Sequence, residues 1–339
     1  MFSLILRRLI QTGFVLMIVS VIVFALVRMA PGDPVNIFLG EQQVSAEQRA
    51  EYRHALGLDQ PIVVQYLVFV KNALVGDLGQ SIYKKTDVTA LIWPAFLATF
   101  ELTMVSLLIA VILGVPLAFL AATNHGRFID RFSSVGALFG YSMPTFWLGI
   151  MLILIFSVLL GWLPTGGQVS YTTTLHRVTG IVLLDSLLTG NLTTFWIALR
   201  HIALPSLTIG ISLAATLMQV LRGSLITAKN EDFVDALRSR GLSKSRINAH
   251  LLRNAAPPTV IIMGLRIGGL LGGAIVTESV FSWPGLGLLI IDAIRARDYP
   301  LIQAGVLMMA ATFVIVSLIA DIIHIFLDPR IRQSGASAS

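Results

Sequence analysis

Cysteine is absent from the 339 residues, and charge is scarce, with Asp, Glu, Lys and Arg together making up 12%. Without cysteine there is no disulfide framework, no thiolate metal site and no cysteine nucleophile. A soluble domain carries roughly 25% charged residues, so a chain with about half that fraction cannot cover a water-facing surface. With 55% hydrophobic residues and a mean hydropathy of +0.83, most of it must face lipid or other buried helices. A secreted domain, a cytosolic enzyme and a disordered scaffold are excluded. Catalytic signatures are missing as well. None of the five lysines follows a glycine, so there is no phosphate-binding loop, and no histidine precedes a glutamate as the zinc-protease pattern requires. Ser142 and Ser212 stand outside any Gly-x-Ser-x-Gly elbow. The chain is not expected to be an enzyme.

Long apolar runs are what the sequence does contain. A spanning helix needs roughly 20 apolar residues, because the hydrocarbon slab is about 30 Å thick and each residue rises about 1.5 Å. Six stretches qualify, at 9–27, 97–121, 133–160, 202–221, 259–280 and 301–327. The first follows Arg7 and Arg8 as a signal peptide would. Its apolar core is too long for one, and Arg28-Met29-Ala30-Pro31 offers no small-x-small cleavage site, so it reads as an uncleaved span. Runs 181–188 and 286–294 are too short to cross, and the second reads as an interfacial or re-entrant helix. With the N-terminus inside, the short inside segments 1–8, 122–132, 222–258 and 328–339 hold 13 of the 24 basic residues. Both termini are therefore expected in the cytoplasm. The net charge of +6 follows from this topology, and no nucleic-acid partner is needed to explain it.

Outside the membrane, residues 30–96 carry their own signals. Ser45 with Gln48 forms a capping-box pattern for a helix over 46–56 closed by Gly57, and Pro61 opens a second helix through Leu74. A small ordered outer subdomain is expected, either a packing collar or a docking surface. The threonine-rich segment 161–194 is a loop or an arm toward a partner. The inside loop 222–258 is more telling. Asn230 is a suitable N-cap for a helix over 233–240 that stops at Gly241, and Ser243 caps a second helix, 244–255, ended by Pro257-Pro258. Phe233 and Leu237 share one face, as do Ile247 and Leu251. Two short capped helices make a stiff bracket, suited to transmitting force from a cytoplasmic partner or to lying flat on anionic lipid.

Ionisable residues in or near spans are functional candidates, since each costs roughly 2.5–3.5 kcal/mol at the centre of a spanning helix on insertion scales. They are Glu101, Arg266, Glu278, Asp321 and His324. Asp321 and His324, three apart, could pair or snorkel. Glu101 and Glu278 lie near outer ends, where water or a partner subunit could satisfy them. Arg266 should face a cavity or a subunit interface. Pro116, Pro144 and Pro205 free backbone carbonyls and suit moving helices. Gly268-Gly269 and Gly272-Gly273 permit close helix contact. Met143, Phe146 and Trp147 either line a path or face lipid.

The inside loop resembles the coupling loop of type I ABC importer membrane subunits, through Glu231-Asp232-Phe233-Val234-Asp235-Ala236-Leu237-Arg238-Ser239-Arg240-Gly241-Leu242 and Leu252-Arg253-Asn254-Ala255-Ala256-Pro257. Asp235-Ala236-Leu237 stands where the general pattern has Glu-Ala-Ala, and Arg253-Asn254 replaces Leu-Pro, as is usual in the dipeptide/oligopeptide/nickel branch. The rest of the chain is similar to that branch in order: Arg7-Arg8, Pro31-Gly32-Asp33-Pro34, Gly76-Asp77-Leu78-Gly79, Gly140-Tyr141-Ser142-Met143-Pro144-Thr145-Phe146-Trp147, the run Thr277-Glu278-Ser279-Val280-Phe281-Ser282-Trp283-Pro284-Gly285-Leu286-Gly287, then Arg297-Asp298-Tyr299-Pro300 and Asp328-Pro329-Arg330. Length and the long second outside loop look most like B-type permeases of dipeptide importers, and glutathione and nickel permeases share most motifs.

The resemblance implies an all-α inner-membrane permease with six spans and a small periplasmic subdomain. Its parts would be an N-terminal segment 1–96, a permease domain 97–327 with coupling loop 222–258, and a tail 328–339. It implies a second homologous permease, two cytoplasmic ATPases that use ATP-Mg, and a periplasmic peptide-binding protein. No cofactor or metal is expected in this chain. Coupling falls to Phe233, Asp235, Ala236, Leu237, Arg240, Gly241 and Leu242, with Phe233, Leu237 and Leu242 as apolar knobs and Arg238, Arg240 and Arg246 either facing acidic rims or simply meeting the positive-inside rule. Arg266, Met143, Phe146 and Glu278 are candidates for the translocation path. A stand-alone secondary transporter is the rival reading, although no internal repeat is evident. A membrane scaffold would need neither hinge prolines nor a bracket.

Overall fold

A computed structural model describes residues 2–29, 47–48, 54, 59–169 and 177–327. The expected helix over 46–56 lies almost wholly outside those residues, and so do the 31–34 and 328–330 motifs. The described chain is helical, with a single β-bridge between Gln80 and Asp87. In order the helices are α1 (Phe2–Met29), α2 (Ile62–Leu74), α3 (Val88–Thr123), α4 (Phe128–Ser142), α5 (Thr145–Leu152), α6 (Val182–Leu188), α7 (Leu192–Lys229), α8 (Asp232–Ser239), α9 (Lys244–Leu271), α10 (Ile275–Val280), α11 (Leu286–Arg295) and α12 (Tyr299–Leu327).

Four of these are long and apolar enough to cross a membrane: α1 over Arg8–Leu26, α3, α7 and α12. A fifth crossing arises if α4 and the unit Thr145–Leu159 count as one broken span, bent by 99°. The expected span 133–160 is therefore not straight. Pro144 stands at the break, where it lacks an N–H and disfavours helical geometry at the residue before it; Met143 is extended at φ −70°, ψ 128°. Beyond α5 the chain relaxes into a π-helical turn, Ile153–Leu159. The expected span 259–280 is also divided. Its first half is the end of α9, which stops at Leu271; Gly273 at φ +122° redirects the chain, and α10 holds the remainder.

Helix α7 is the hub, with 72% of its apolar window buried, against 17% for α1 and for α12. It packs along α3 over nearly its whole length and touches α4, α5, α6, α9 and α10. Lipid tails are as apolar as leucine, so such contacts must rest on close packing rather than on escape from water. The sequence supplies small residues where they are needed. A side chain at Gly114 would come within 2.9 Å of Leu217, and one at Gly210 within 2.8 Å of Ile109. Gly264 abuts Ala320, and Gly268 lies against Phe313, which seats α9 on α12. Of the four glycines expected at helix contacts, Gly268 serves that role, whereas Gly273 breaks the helix and Gly269 has open space before it.

Pro116 and Pro205, expected to suit moving helices, lie inside continuous helices, as do Pro94 and, in α9, Pro257 and Pro258. The second bracket helix thus does not end at Pro257 but runs on to Leu271. Buried Ala255, Thr259 and Met263 on either side hold its inner face in contact, which offsets the lost backbone hydrogen bonds. The outer segment is less polar than its position suggested. Helix α2 buries none of its residues, rests on α1 through Phe24 against Tyr66 and Phe69, and is tied by a 2.8 Å hydrogen bond between Ser20 and Tyr66. The short run after Gly285 is a helix packed inside the body, with Leu286, Ile290 and Ala293 buried against α3 and α12.

Candidate functional site

The bracket of α8 and α9 follows directly from the end of α7. Asn230, expected as the N-cap of α8, instead closes α7, its N–H donating to the Thr227 carbonyl; Glu231, extended at φ −84° and ψ 147°, takes the N-cap position. Asp232 and Asp235 stand in the first turn, where the helix dipole favours negative charge. The far end is closed by a pair of crossed bonds, Leu242 N–H to Leu237 carbonyl at 3.2 Å and Gly241 N–H to Arg238 carbonyl at 2.9 Å. This geometry requires a left-handed residue, and Gly241 supplies it at φ +70°.

The amphipathic faces then divide the expected coupling residues into two groups. Val234, Ile247 and Leu251 are buried in the main hydrophobic core, and Phe233, Leu237 and Leu242 are half-buried against it. The three expected knobs are therefore turned toward their own chain. Asp235, Ala236, Arg238, Arg240, Gly241 and Arg246 are exposed, with Asp235 and Arg238 paired at 3.0 Å on the surface. A tip of charged and small residues is held on a base shared with the transmembrane core.

At the same end of the bundle, buried Asp130 on α4 receives both the Nε and the terminal nitrogen of Arg222 on α7, the latter at 2.7 Å. His125 Nδ1 lies 3.0 Å from the same carboxylate, and the Gly126 N–H donates to it at 2.9 Å. The Arg222 guanidinium, helped by those donors against burial, holds the Asp130 carboxyl well below the usual carboxylate range. Nothing in the local pattern marked this pair, since 92 residues separate its members.

The membrane candidates separate equally clearly. Glu278 is fully buried: Thr99 donates its hydroxyl to it at 2.7 Å and the Leu288 N–H donates at 2.9 Å. It is held by its own chain at the start of α11 and does not line the cavity beside Thr277. Thr99 also accepts the Leu286 N–H at 2.8 Å, and the Trp283 indole donates to the Ala98 carbonyl at 2.9 Å. The run from Thr277 to Gly287 is thus a locked plug against α3. Glu101 is likewise satisfied internally, accepting from Gln168 and from the Leu183 N–H, each at 2.7 Å, which pins the segment between α5 and α7 to α3. In that segment, burial would raise the Asp185 carboxyl, but the hydroxyl and N–H of Thr179 and the N–H of Gly180 outweigh it and hold it below its ordinary value. Asp321 pairs not with His324 but with Arg8 of α1, at 3.0 Å. Asp298, which the sequence marks only as part of the Arg297–Pro300 motif, caps α12 and receives Ser81 and the N–H groups of Ile82 and Tyr83.

Arg266 meets open space with no ion-pair partner among the described residues. A cavity of about 460 Å³ lies where the α4–α5 bend, α7 and the α9–α10 break converge. Its lining includes Arg266, the hydroxyl-bearing residues Thr145, Ser212, Thr216 and Thr277, and otherwise apolar or glycine residues such as Leu265 and Gly269. The Arg266 guanidinium lies 5.7 Å from the centre of the Tyr141 ring. Of the bend residues, Thr145 lines the cavity; Met143 and Phe146 do not, Met143 being half-buried and Phe146 exposed. Ser212 and Thr216, four apart in an apolar helix, were the legible sign of a polar stripe here.

A bundle of spanning helices, broken at two points around an open cavity and rigidly joined to a bracket at one end, defines a membrane transport component. Residues 114–333 match the family described as binding-protein-dependent transport system inner membrane component, and residues 1–103 match the N-terminal region of the same systems. The chain belongs to this family: it is a multi-pass inner-membrane permease subunit of an ABC importer, a class of transport components rather than enzymes, and it works with a binding protein and an ATPase. It is 40% identical over 316 residues to the di/tripeptide transport system permease protein DppB of Pseudomonas aeruginosa, covering 93% of this chain and 94% of that one. The dipeptide transport system permease protein DppB of Escherichia coli K12 is 40% identical over 319 residues, with the same coverage. The glutathione transport system permease protein GsiC of the same strain is 38% identical over 333 residues, covering 98% and 99%.

Proposed function

We propose that this chain forms half of the translocation path of an ATP-driven dipeptide importer and is driven through the α8–α9 bracket by separate ATPase subunits. The second half of the path is a homologous permease, two ATPases supply ATP-Mg chemistry, and a periplasmic binding protein delivers the peptide. The chain crosses six times, once through α1 and five times in the permease body over 97–327, with α9 and α10 sharing the fifth crossing, and both termini and the bracket are cytoplasmic. The relatives named for di- and tripeptides favour short peptides as cargo over glutathione, whose permease is slightly less similar.

The observation that carries this reading is the division of the bracket. Its exposed tip offers Asp235, Ala236, Arg238, Arg240 and Gly241 to a partner, while Phe233, Leu237 and Leu242 weld its base to the core around α7. Force applied to the tip reaches the spans through packed side chains rather than through a slack loop. ATP can drive the cycle only if the inward- and outward-open states bind nucleotide differently, and a rigid bracket lets the membrane part register that difference. The test is substitution of Asp235 by Ala in the assembled complex. Its pair with Arg238 is surface-exposed, and such pairs contribute little to stability, so the fold should persist. Peptide-stimulated ATP hydrolysis should fall severalfold, and unchanged stimulation would count against coupling through this tip.

A further inference from the structure

The central cavity has a chemistry that plain packing does not account for. Arg266 supplies the only formal charge among its lining residues, and no carboxylate faces it there. Among the described residues Arg266 forms no ion pair; its guanidinium lies 5.7 Å from the centre of the Tyr141 ring. Counting from Pro258, where the sequence places the inner boundary, eight residues at about 1.5 Å each set Arg266 about 12 Å into a slab of about 30 Å. An arginine at that depth costs free energy unless it meets water or an anion. Of the other ionisable groups in the spans, Glu101, Glu278 and Asp321 are occupied by partners in their own chain, Asp321 by Arg8. Arg266 is left facing a cavity of about 460 Å³, within the roughly 300–1,000 Å³ of ligand pockets.

The hydroxyls around it are arranged for a second kind of contact. Thr216 donates its proton to the Ser212 carbonyl at 3.2 Å, which leaves its oxygen free to accept. The Ser212 and Thr145 hydroxyls can donate or accept. Thr145 is the first residue of α5, so the positive end of that helix dipole also lies at the cavity. One guanidinium, a helix start and neutral hydroxyls, with no acidic group, make a site selective for an anion that carries adjacent amide groups.

We infer that Arg266 binds the C-terminal carboxylate of the peptide as it passes through this cavity, with Ser212 and Thr216 contacting the neighbouring amide. The inference rests on the peptide-importer reading and adds a specificity-determining residue to it. The bidentate fork of arginine matches a carboxylate, and such charge-assisted pairs are about twice as strong as neutral hydrogen bonds.

The test uses the whole complex in liposomes, with ATP inside and saturating binding protein, and compares uptake of a dipeptide with that of its C-terminal amide. The binding protein's own preference cancels when the acid-to-amide ratio is compared between subunit variants. Arg266→Gln should copurify with the second permease, lower uptake of the free acid by about tenfold, and bring the ratio toward that of the amide alone. Arg266→Lys, which keeps the charge but not the fork, should recover part of both. Equal loss for acid and amide, undiminished uptake, or failure to assemble with the second permease would overturn the assignment, the last by making Arg266 an interface charge. Should the wild-type complex take up neither peptide, the peptide-importer reading itself fails, and this inference with it.

Discussion

Glu278 sits in a pocket shaped around its carboxylate. Gly285 has no room for a Cβ because that carboxylate occupies the space, Gly287 is closed off by Ile275 together with it, and Thr99 and Leu288 donate to it. Two single changes probe the arrangement from opposite sides. Gly285→Ala should drive a methyl group onto the carboxylate, and overpacking of this kind costs about 1–3 kcal/mol. Glu278→Ala should strand two buried donors at about 1–3 kcal/mol. Both should appear as a lower melting temperature of the detergent-solubilised chain, with Glu278→Gln milder than Glu278→Ala. At this scale the residue types were legible in the Thr277–Gly287 run, but the role of Glu278 was not. Its partner Thr99 lies 179 positions away, and no local pattern links them. The same holds for Asp321, whose partner proved to be Arg8 rather than the helical neighbour His324.

At the scale of elements, contacts between helices carry the testable content. The Asp130–Arg222 pair joins α4 to α7 beside the bracket. Because the folded carboxyl is held below its unfolded value, its contribution is complete above the unfolded pKa of about 3.9 and is lost as pH falls further. The stability gap between the wild-type protein and Asp130→Asn should thus stay constant from about pH 8 to 5 and close only below about pH 4. Melting curves across that range check the sign. The bend at Pro144 offers a second test. Pro144→Ala restores an N–H and removes the restriction on Met143, so transport should fall because Thr145 and the cavity wall it supplies depend on the break. Periodicity located most elements, but it could not distinguish prolines that break helices from those that do not. Pro257 and Pro258 are carried within α9 because buried neighbours hold the helix on both sides, whereas Pro144 has only half-buried or exposed neighbours at 143 and 145–147.

For the molecule as a whole, the decisive measurement is sidedness. A cysteine placed at Ser243, in a chain that has no other, should resist an impermeant label in intact cells and react once the membrane is opened. Purification of the chain should also bring down an ATPase and a second permease. Gly241→Ala should weaken coupling by straining the left-handed turn, at about 1–2 kcal/mol. Loss of peptide-stimulated ATP hydrolysis with the complex intact is the expected outcome.

The sequence by itself determined that this chain lives in a bilayer, because too few charges remain to cover a soluble surface. It also determined the transport class, because short local motifs such as the bracket and the Thr277–Gly287 run are contiguous and keep their identity whatever surrounds them. Tertiary structure alone decided which intramembrane charges are structural and which faces an opening. Pairing across 67 to 313 positions, as for Glu101 with Gln168 or Arg8 with Asp321, depends on how helices pack, and packing in lipid is set by shape complementarity that no single segment encodes.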